Sequence, residues 1–247
     1  MNYGGSSGYG RAYRERLRGQ WGIVDVADAM TAALALAESG EADGKRLGIR
    51  GGSAGGWTAL AAVTSGIGVL TGPNGSREGG PADAFSPGGT HPPGPPWGRN
   101  DPPEPSRNHG VFAAAASYFG VADLRGFAEH THDFESRYLD GLIGPLPECD
   151  ALYTERAPVG HVNDATCPVL LLQGLDDPVV PAAQSESIAA DLAAHGIRYA
   201  YLTFEGESHG FRKAENIVAS LEAELSFYGQ IMGFTPPGIP AVPLDGA

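Results

Sequence analysis

The stretch "KRLGIRGGSAGGWTAL", residues 45–60, decides the fold. Its first part, "RLGIR" (46–50), carries apolar residues at alternate positions and runs into glycine, the pattern of a short strand. Its last part, continued to "GGWTALAAVTSG" (55–66), reads as a helix. Between them Gly51-Gly52-Ser53-Ala54-Gly55 satisfies G-x-S-x-G. In that motif a serine sits on a strained strand-to-helix turn, and small neighbours let the backbone segments pass closely. The hydroxyl is then exposed, and the N-terminus of the following helix favours developing negative charge. The Ala54 amide would supply one oxyanion donor. A glycine-rich bend satisfies the same pattern in a chain with 37 glycines, so the flanking sequence has to decide whether Ser53 is a nucleophile.

Toward the N-terminus, "GQWGIVDVADAMTAALALAESG" (19–40) spaces Ile23, Val26, Ala27, Met30, Ala33, Leu34 and Ala37 as a helix, with Gly40 as its stop. Residues 1–10 read as a turn-rich lead-in. Arg11, Arg14, Arg16 and Arg18, with Glu15 among them, read as a solvated helix face. Toward the C-terminus, "VFAAAASYFG" (111–120) reads as a buried strand and "ADLRGFAEH" (122–130) as helical. The apolar run "CPVLLLQG" (167–174) predicts a central strand, and "PAAQSESIAADLAAHG" (181–196) an amphipathic helix. "RYAYLTFEG" (198–206) predicts a strand and "KAENIVASLEAELSFYGQIMGF" (213–234) the closing helix. Helices alternating with short apolar strands imply an α/β architecture, a mostly parallel sheet with helices on both faces.

Residues 71–109 interrupt this pattern. They are dense in Pro and Gly and nearly free of aliphatic side chains, so burial cannot offset their ordering entropy. They read as a disordered insertion within one domain over 1–234, and 235–247 as a flexible tail. The 247 residues suffice for one large core. A net charge of −13 argues against nucleic acid, which requires a concentrated basic surface. No apolar run reaches the roughly 18–20 residues of a membrane helix, and the N-terminus lacks the apolar segment of a secretory signal. A cytoplasmic location is therefore expected. Cys149 and Cys167 have neither zinc-site nor disulfide-framework spacing. "HTHD" (130–133) lacks further spaced ligands, so no metal and no cofactor are expected.

A serine hydroxyl is a weak nucleophile unless a base and an orienting acid stand beside it. In an α/β sheet of this type the chain order is Ser, acid, His. "LLLQGLDDPVVP" (170–181) puts Asp176 and Asp177 on the loop after one strand, and "LTFEGESHGF" (202–211) puts His209 on the loop after the next. Such loops gather at the C-terminal ends of parallel strands, where open α/β sheets build sites. Spacing alone leaves open which aspartate is the acid. The two aspartates also suit a turn before Pro178, and His209 also suits a surface loop.

Four segments together resemble the catalytic domain of the prolyl oligopeptidase family of serine peptidases, which has the α/β-hydrolase fold. "NYGGSSGYGRAYRERLRGQWGIVDVADAM" (2–30) is similar to the approach to that family's first shared helix, and "RLGIRGGSAGGWTAL" (46–60) to its nucleophile turn. "CPVLLLQGLDDPVVP" (167–181) resembles its acid loop and "FEGESHGF" (204–211) its histidine loop. The resemblance implies Ser53 as nucleophile, His209 as base and Asp177 as acid, three residues after Gly174 and four before Pro181. It also implies a second oxyanion donor, from a tyrosine motif upstream of "NYGGS", and a β-propeller domain. Neither is found in these residues, so the first strands of the sheet are expected to be missing and the chain to be part of a longer protein.

The function expected is a serine peptidase acting on short peptides through an acyl-enzyme on Ser53. An esterase of the same fold and a non-catalytic hydrolase-like domain are the alternatives. Tyr118 and Phe119, which end the 111–120 strand, are candidates for a substrate-side wall or for the core. The partners expected are a peptide substrate and either a second copy or a propeller domain of a longer chain.

Overall fold

The computed structural model describes residues 1–64, 110–130 and 137–246. The insertion expected at 71–109 and all of "HTHD" after His130 lie outside the described residues. The helices are α1 (Arg11–Arg14), α2 (Val24–Glu38), α3 (Ala54–Thr64), α4 (Leu124–His130), α5 (Tyr138–Leu142), α6 (Asp150–Arg156), α7 (Ala182–Ala194) and α8 (Ala214–Met232). The strands are β1 (Gly48–Gly52), β2 (Ala114–Tyr118), β3 (Val169–Gly174) and β4 (Tyr199–Phe204), paired in that order and all parallel.

Register determines what the sheet can carry. Gly52 pairs with Tyr118, Tyr118 with Leu172, and Gly174 with Phe204. Ser53, Phe119, the 175–180 loop and the 205–213 loop therefore leave the sheet at one edge. Side chains alternate across it. Ala115, Val169 and Leu171 pack with Leu60 and Val63 of α3 and Ile188 and Leu192 of α7. Ala114, Ala116, Leu170 and Leu172 face the other way, against Ala223 and Phe227 of α8. The alanines of β2 admit α3 on one face and α8 on the other.

The segment before α2 is clamped onto α3. Trp21 and Trp57 stack with ring centroids 4.1 Å apart. A Cβ on Gly22 (φ +90°) would meet the Trp57 ring, so only glycine fits that close approach. Asp25 is fully buried and accepts hydrogen bonds from the Gly22 amide (2.6 Å) and the Thr58 hydroxyl (2.6 Å). Burial raises the pKa of its carboxyl, against those two hydrogen bonds. The Arg156 guanidinium donates to the carbonyl of Trp21 (2.8 Å) and of Gly19 (3.2 Å).

Residues 235–247, expected as a flexible tail, make specific contacts with the domain. Val242 is buried beside α8, its amide donates to Ser226 Oγ (2.8 Å), and its carbonyl accepts from Gln230 Nε2 (2.9 Å). Asp245 and Tyr199 exchange two backbone hydrogen bonds (2.7 and 3.0 Å), which partly covers the outer edge of β4. The prolines of this stretch hide it from periodicity rules, yet the buried Val242, the partly buried Leu244 and four hydrogen bonds fix it. Burying a valine contributes about 1.5–3 kcal/mol, so deleting residues 239–247 is expected to lower the melting temperature by roughly 3–12 °C. Differential scanning calorimetry measures it; an unchanged midpoint would show that the tail adds nothing to stability.

Candidate active site

At the edge where the strands end, β1 turns into α3 within a single residue. Ser53 takes a left-handed conformation (φ 55°), and its amide donates to the Tyr118 carbonyl (2.9 Å). A non-glycine residue in this region carries about 1–3 kcal/mol of strain, which the surrounding structure must overcome. Close packing around it explains the glycines. A Cβ on Gly51 would collide with the Gly55 carbonyl oxygen, and one on Gly56 would press on Gly120 and Ser117. Around Gly55 there is no atom within 4 Å of such a Cβ.

The three candidate residues meet in one chain of hydrogen bonds. His209 Nδ1 lies 2.8 Å from Asp177 Oδ2, and its Nε2 lies 2.8 Å from Ser53 Oγ. A carboxylate only accepts, so Nδ1 carries the proton and donates to Asp177. Nε2 is then the acceptor for the Ser53 hydroxyl. The Asp177 side chain is fully buried and its Oδ1 accepts from the amides of Val179 (2.8 Å) and Val180 (2.9 Å). Those bonds hold one carboxylate oxygen and leave the other aimed at the imidazole. The His209 side chain is 23% exposed, which leaves the ring reachable from solvent.

Asp176 is the aspartate left outside. Its side chain is exposed, and its amide donates to the Glu207 carbonyl (2.9 Å), joining the acid loop to the histidine loop. Ala54 opens α3, and the first amides of a helix have no intrahelical acceptor, which suits the oxyanion role proposed from sequence.

Tyr118 and Phe119 separate. Tyr118 belongs to the core, not to a substrate wall. It is 8% exposed, and its hydroxyl donates to Glu224 Oε2 (2.8 Å). Burial and the adjacent Glu224 push its phenol pKa up. Arg50 stacks over its ring at 5.0 Å and also pairs with Glu224 (3.0 Å). Alternation in β2 sends Tyr118 toward α8. Phe119, one residue on, is half-buried, takes φ 39°, and sets its ring edge-on to His209 at 4.9 Å.

Two neighbours escaped the sequence reading. Phe211 packs on Phe119 at 5.5 Å, and Glu207, two residues before His209, is a buried carboxylate. Both lie in "FEGESHGF", where only the histidine drew attention. No periodicity marks Glu207, which lies seven residues ahead of the start of α8 and is identified only by the amides it accepts from. Elsewhere, His161 sits against the Thr154 carbonyl and His195 against Asp191. Among the described residues no group of three His, Cys, Asp or Glu side chains could hold a metal ion.

The two outer glycines of the motif are expected to behave differently. Gly51→Ala should lower stability by about 3 kcal/mol, because backbone has to move. Gly55→Ala should be neutral or stabilising, since it fills open space and favours the helix by roughly 0.5–1 kcal/mol. Urea unfolding of both variants measures this; equal effects would contradict the packing described.

The chain matches the model of the prolyl oligopeptidase family over residues 1–67 and 106–235, a match that leaves out most of the Pro/Gly-rich stretch. A solved Mycobacterium tuberculosis puromycin-hydrolyzing peptidase is 55% identical, with a TM-score of 0.79 over 99% of this chain and 31% of that one. Dipeptidyl aminopeptidase BIII of Pseudoxanthomonas mexicana is 24% identical over 94% of this chain and 28% of its own length. Esterase LipQ of Mycobacterium tuberculosis is 31% identical over 49% of this chain and 30% of its own. The chain thus spans under a third of the length of these relatives. Together with the open parallel sheet, the likeness makes the fold that of an α/β-hydrolase, and the chain belongs to the prolyl oligopeptidase family.

Proposed function

We propose that this chain is the catalytic domain of a serine peptidase that cleaves short peptides and aminoacyl amides through an acyl-enzyme on Ser53. The observation that carries the reading is the continuous run of hydrogen bonds from Ser53 through His209 to Asp177. Family membership and the likeness to a puromycin-hydrolyzing peptidase support it.

Ser53 Oγ attacks the scissile carbonyl carbon while His209 Nε2 takes its proton. The oxygen of the tetrahedral intermediate gains negative charge opposite the Ala54 amide and the N-terminus of α3. Collapse breaks the C–N bond, and the proton on Nε2 passes to the departing amine. Water then repeats the sequence on the acyl ester, giving its proton to Nε2 and returning the serine. Asp177 stays ionised throughout, holding the imidazole in one tautomer and offsetting its positive charge. Phe119, beside the imidazole, is proposed as a wall of the substrate site.

The partial match to Esterase LipQ favours a second reading, ester hydrolysis by the same three residues. Turnover of puromycin and peptide anilides, set against nitrophenyl esters of the same acyl groups, separates the two. The peptidase reading expects amide turnover that falls by about 10³–10⁴-fold or more in Ser53→Ala and in Asp177→Asn. Ester turnover without any amide turnover would make the chain an esterase, and amide turnover unaffected by Ser53→Ala would exclude the mechanism.

A further inference from the structure

Two residues ahead of His209, Glu207 is 2% exposed, and its carboxylate oxygens are occupied by donors of the loop and of the first turn of α8. Oε1 accepts from the Lys213 amide (2.8 Å) and from Asn216 Nδ2 (3.0 Å), while Oε2 accepts from the Arg212 amide (2.9 Å). Lys213 is the residue that caps the N-terminus of α8, so the carboxylate also sits at the positive end of a helix of 19 residues. Burial opposes its charge, but the hydrogen bonds from Asn216, Arg212 and Lys213 outweigh burial and hold its carboxyl below the usual value. Glu207 is therefore an anion built into the loop, not a surface residue.

Its backbone reaches in the other direction. The Glu207 carbonyl accepts from the Asp176 amide (2.9 Å), one residue before the candidate acid. The same carbonyl lies where a Cβ on Gly174 would fall, so the end of β3 and the histidine loop touch through backbone alone. Left-handed glycines at 206 (φ +71°) and 210 (φ +94°) bracket residues 207–209 and let the chain double back. One residue thus ties the acid loop, the histidine loop and the start of α8 together.

We propose that Glu207 is a positioning residue for the Asp177–His209 pair, setting the reach of His209 to Ser53 without touching substrate itself. This rests on the reading of Ser53, Asp177 and His209 as the reacting set. The reach tolerates little error, since a displacement near 1 Å in a catalytic group can cost on the order of 10²-fold in rate. Glutamine at 207 keeps the shape but replaces one acceptor oxygen by an NH2 that faces backbone N–H groups. At least one of the three hydrogen bonds is then lost, and the loop shifts at its anchor.

The test compares the full chain with Glu207→Gln and with Leu192→Ala, a core truncation between α7 and the sheet that controls for lost stability. Two readouts are taken: steady-state turnover of a peptide anilide, and the far-downfield proton resonance expected of His209 Nδ1–H donating to Asp177. Glu207→Gln is expected to lower kcat by about 10–100-fold with KM within about twofold, and to lose or shift the resonance. Leu192→Ala is expected to lower the melting temperature and keep the resonance. A Glu207→Gln chain that keeps both kcat and the resonance, and only melts earlier, would overturn the proposal. So would a wild-type chain without the resonance. Should wild type show the resonance yet turn over no substrate, the peptidase reading fails, and loss of the resonance in Glu207→Gln still supports the positioning role.

Discussion

The crossing of Gly51 over Gly55, where β1 passes into α3, is the constraint on which the rest of the site depends. The two backbones approach so closely that a single Cβ on Gly51 has no room. That contact forces Ser53 into a left-handed turn and lifts its hydroxyl clear of the sheet. The strain is of the order of 1–3 kcal/mol and is sustained by packing that reaches well beyond the turn. Trp57 on Trp21, Thr58 on Asp25 and the Ala115 face of β2 all hold α3 in place. The nucleophile turn is thus a product of the core beneath it.

Parallel register does the remaining assembly. Because β1 to β4 end at one edge, three loops distant in sequence deliver Ser53, Asp177 and His209 to one point. Each residue is then fixed by its own backbone partners: Ser53 by the Tyr118 carbonyl, Asp177 by two amides of its loop, and His209 by a loop tied through Glu207. On the α8 face of the sheet, the exposed Arg50 covers the buried Tyr118 and Glu224, and the three link β1 and β2 to α8. This cluster removes Tyr118 from the substrate side and braces the strand that leads into Ser53.

The strands and long helices were legible in the sequence because their periodicity is strong. The β3 run "VLLLQG" is buried at every position, and α7 buries Ser185, Ile188, Ala189 and Leu192 at helical spacing. The nucleophile and base were legible from a motif and from chain order. Choosing Asp177 over Asp176 needed the family resemblance, because one residue along a turn flips a side chain from buried to exposed and no periodicity reports that. The same parity put Tyr118 in the core and Phe119 against His209. Glu207 and the docked tail were not legible. Their roles come from hydrogen bonds to backbone amides and from one buried valine, and neither leaves a pattern along the chain.

The central claim is that Ser53 is a nucleophile primed by His209 and Asp177. A fluorophosphonate probe followed by peptide mass mapping tests it most directly, since phosphonylation needs an activated hydroxyl and does not depend on knowing the substrate. The account predicts one adduct, on the peptide containing Ser53, strongly slowed in Asp177→Asn and absent in Ser53→Ala. An adduct on another residue, or no adduct on a folded wild-type chain, would contradict it.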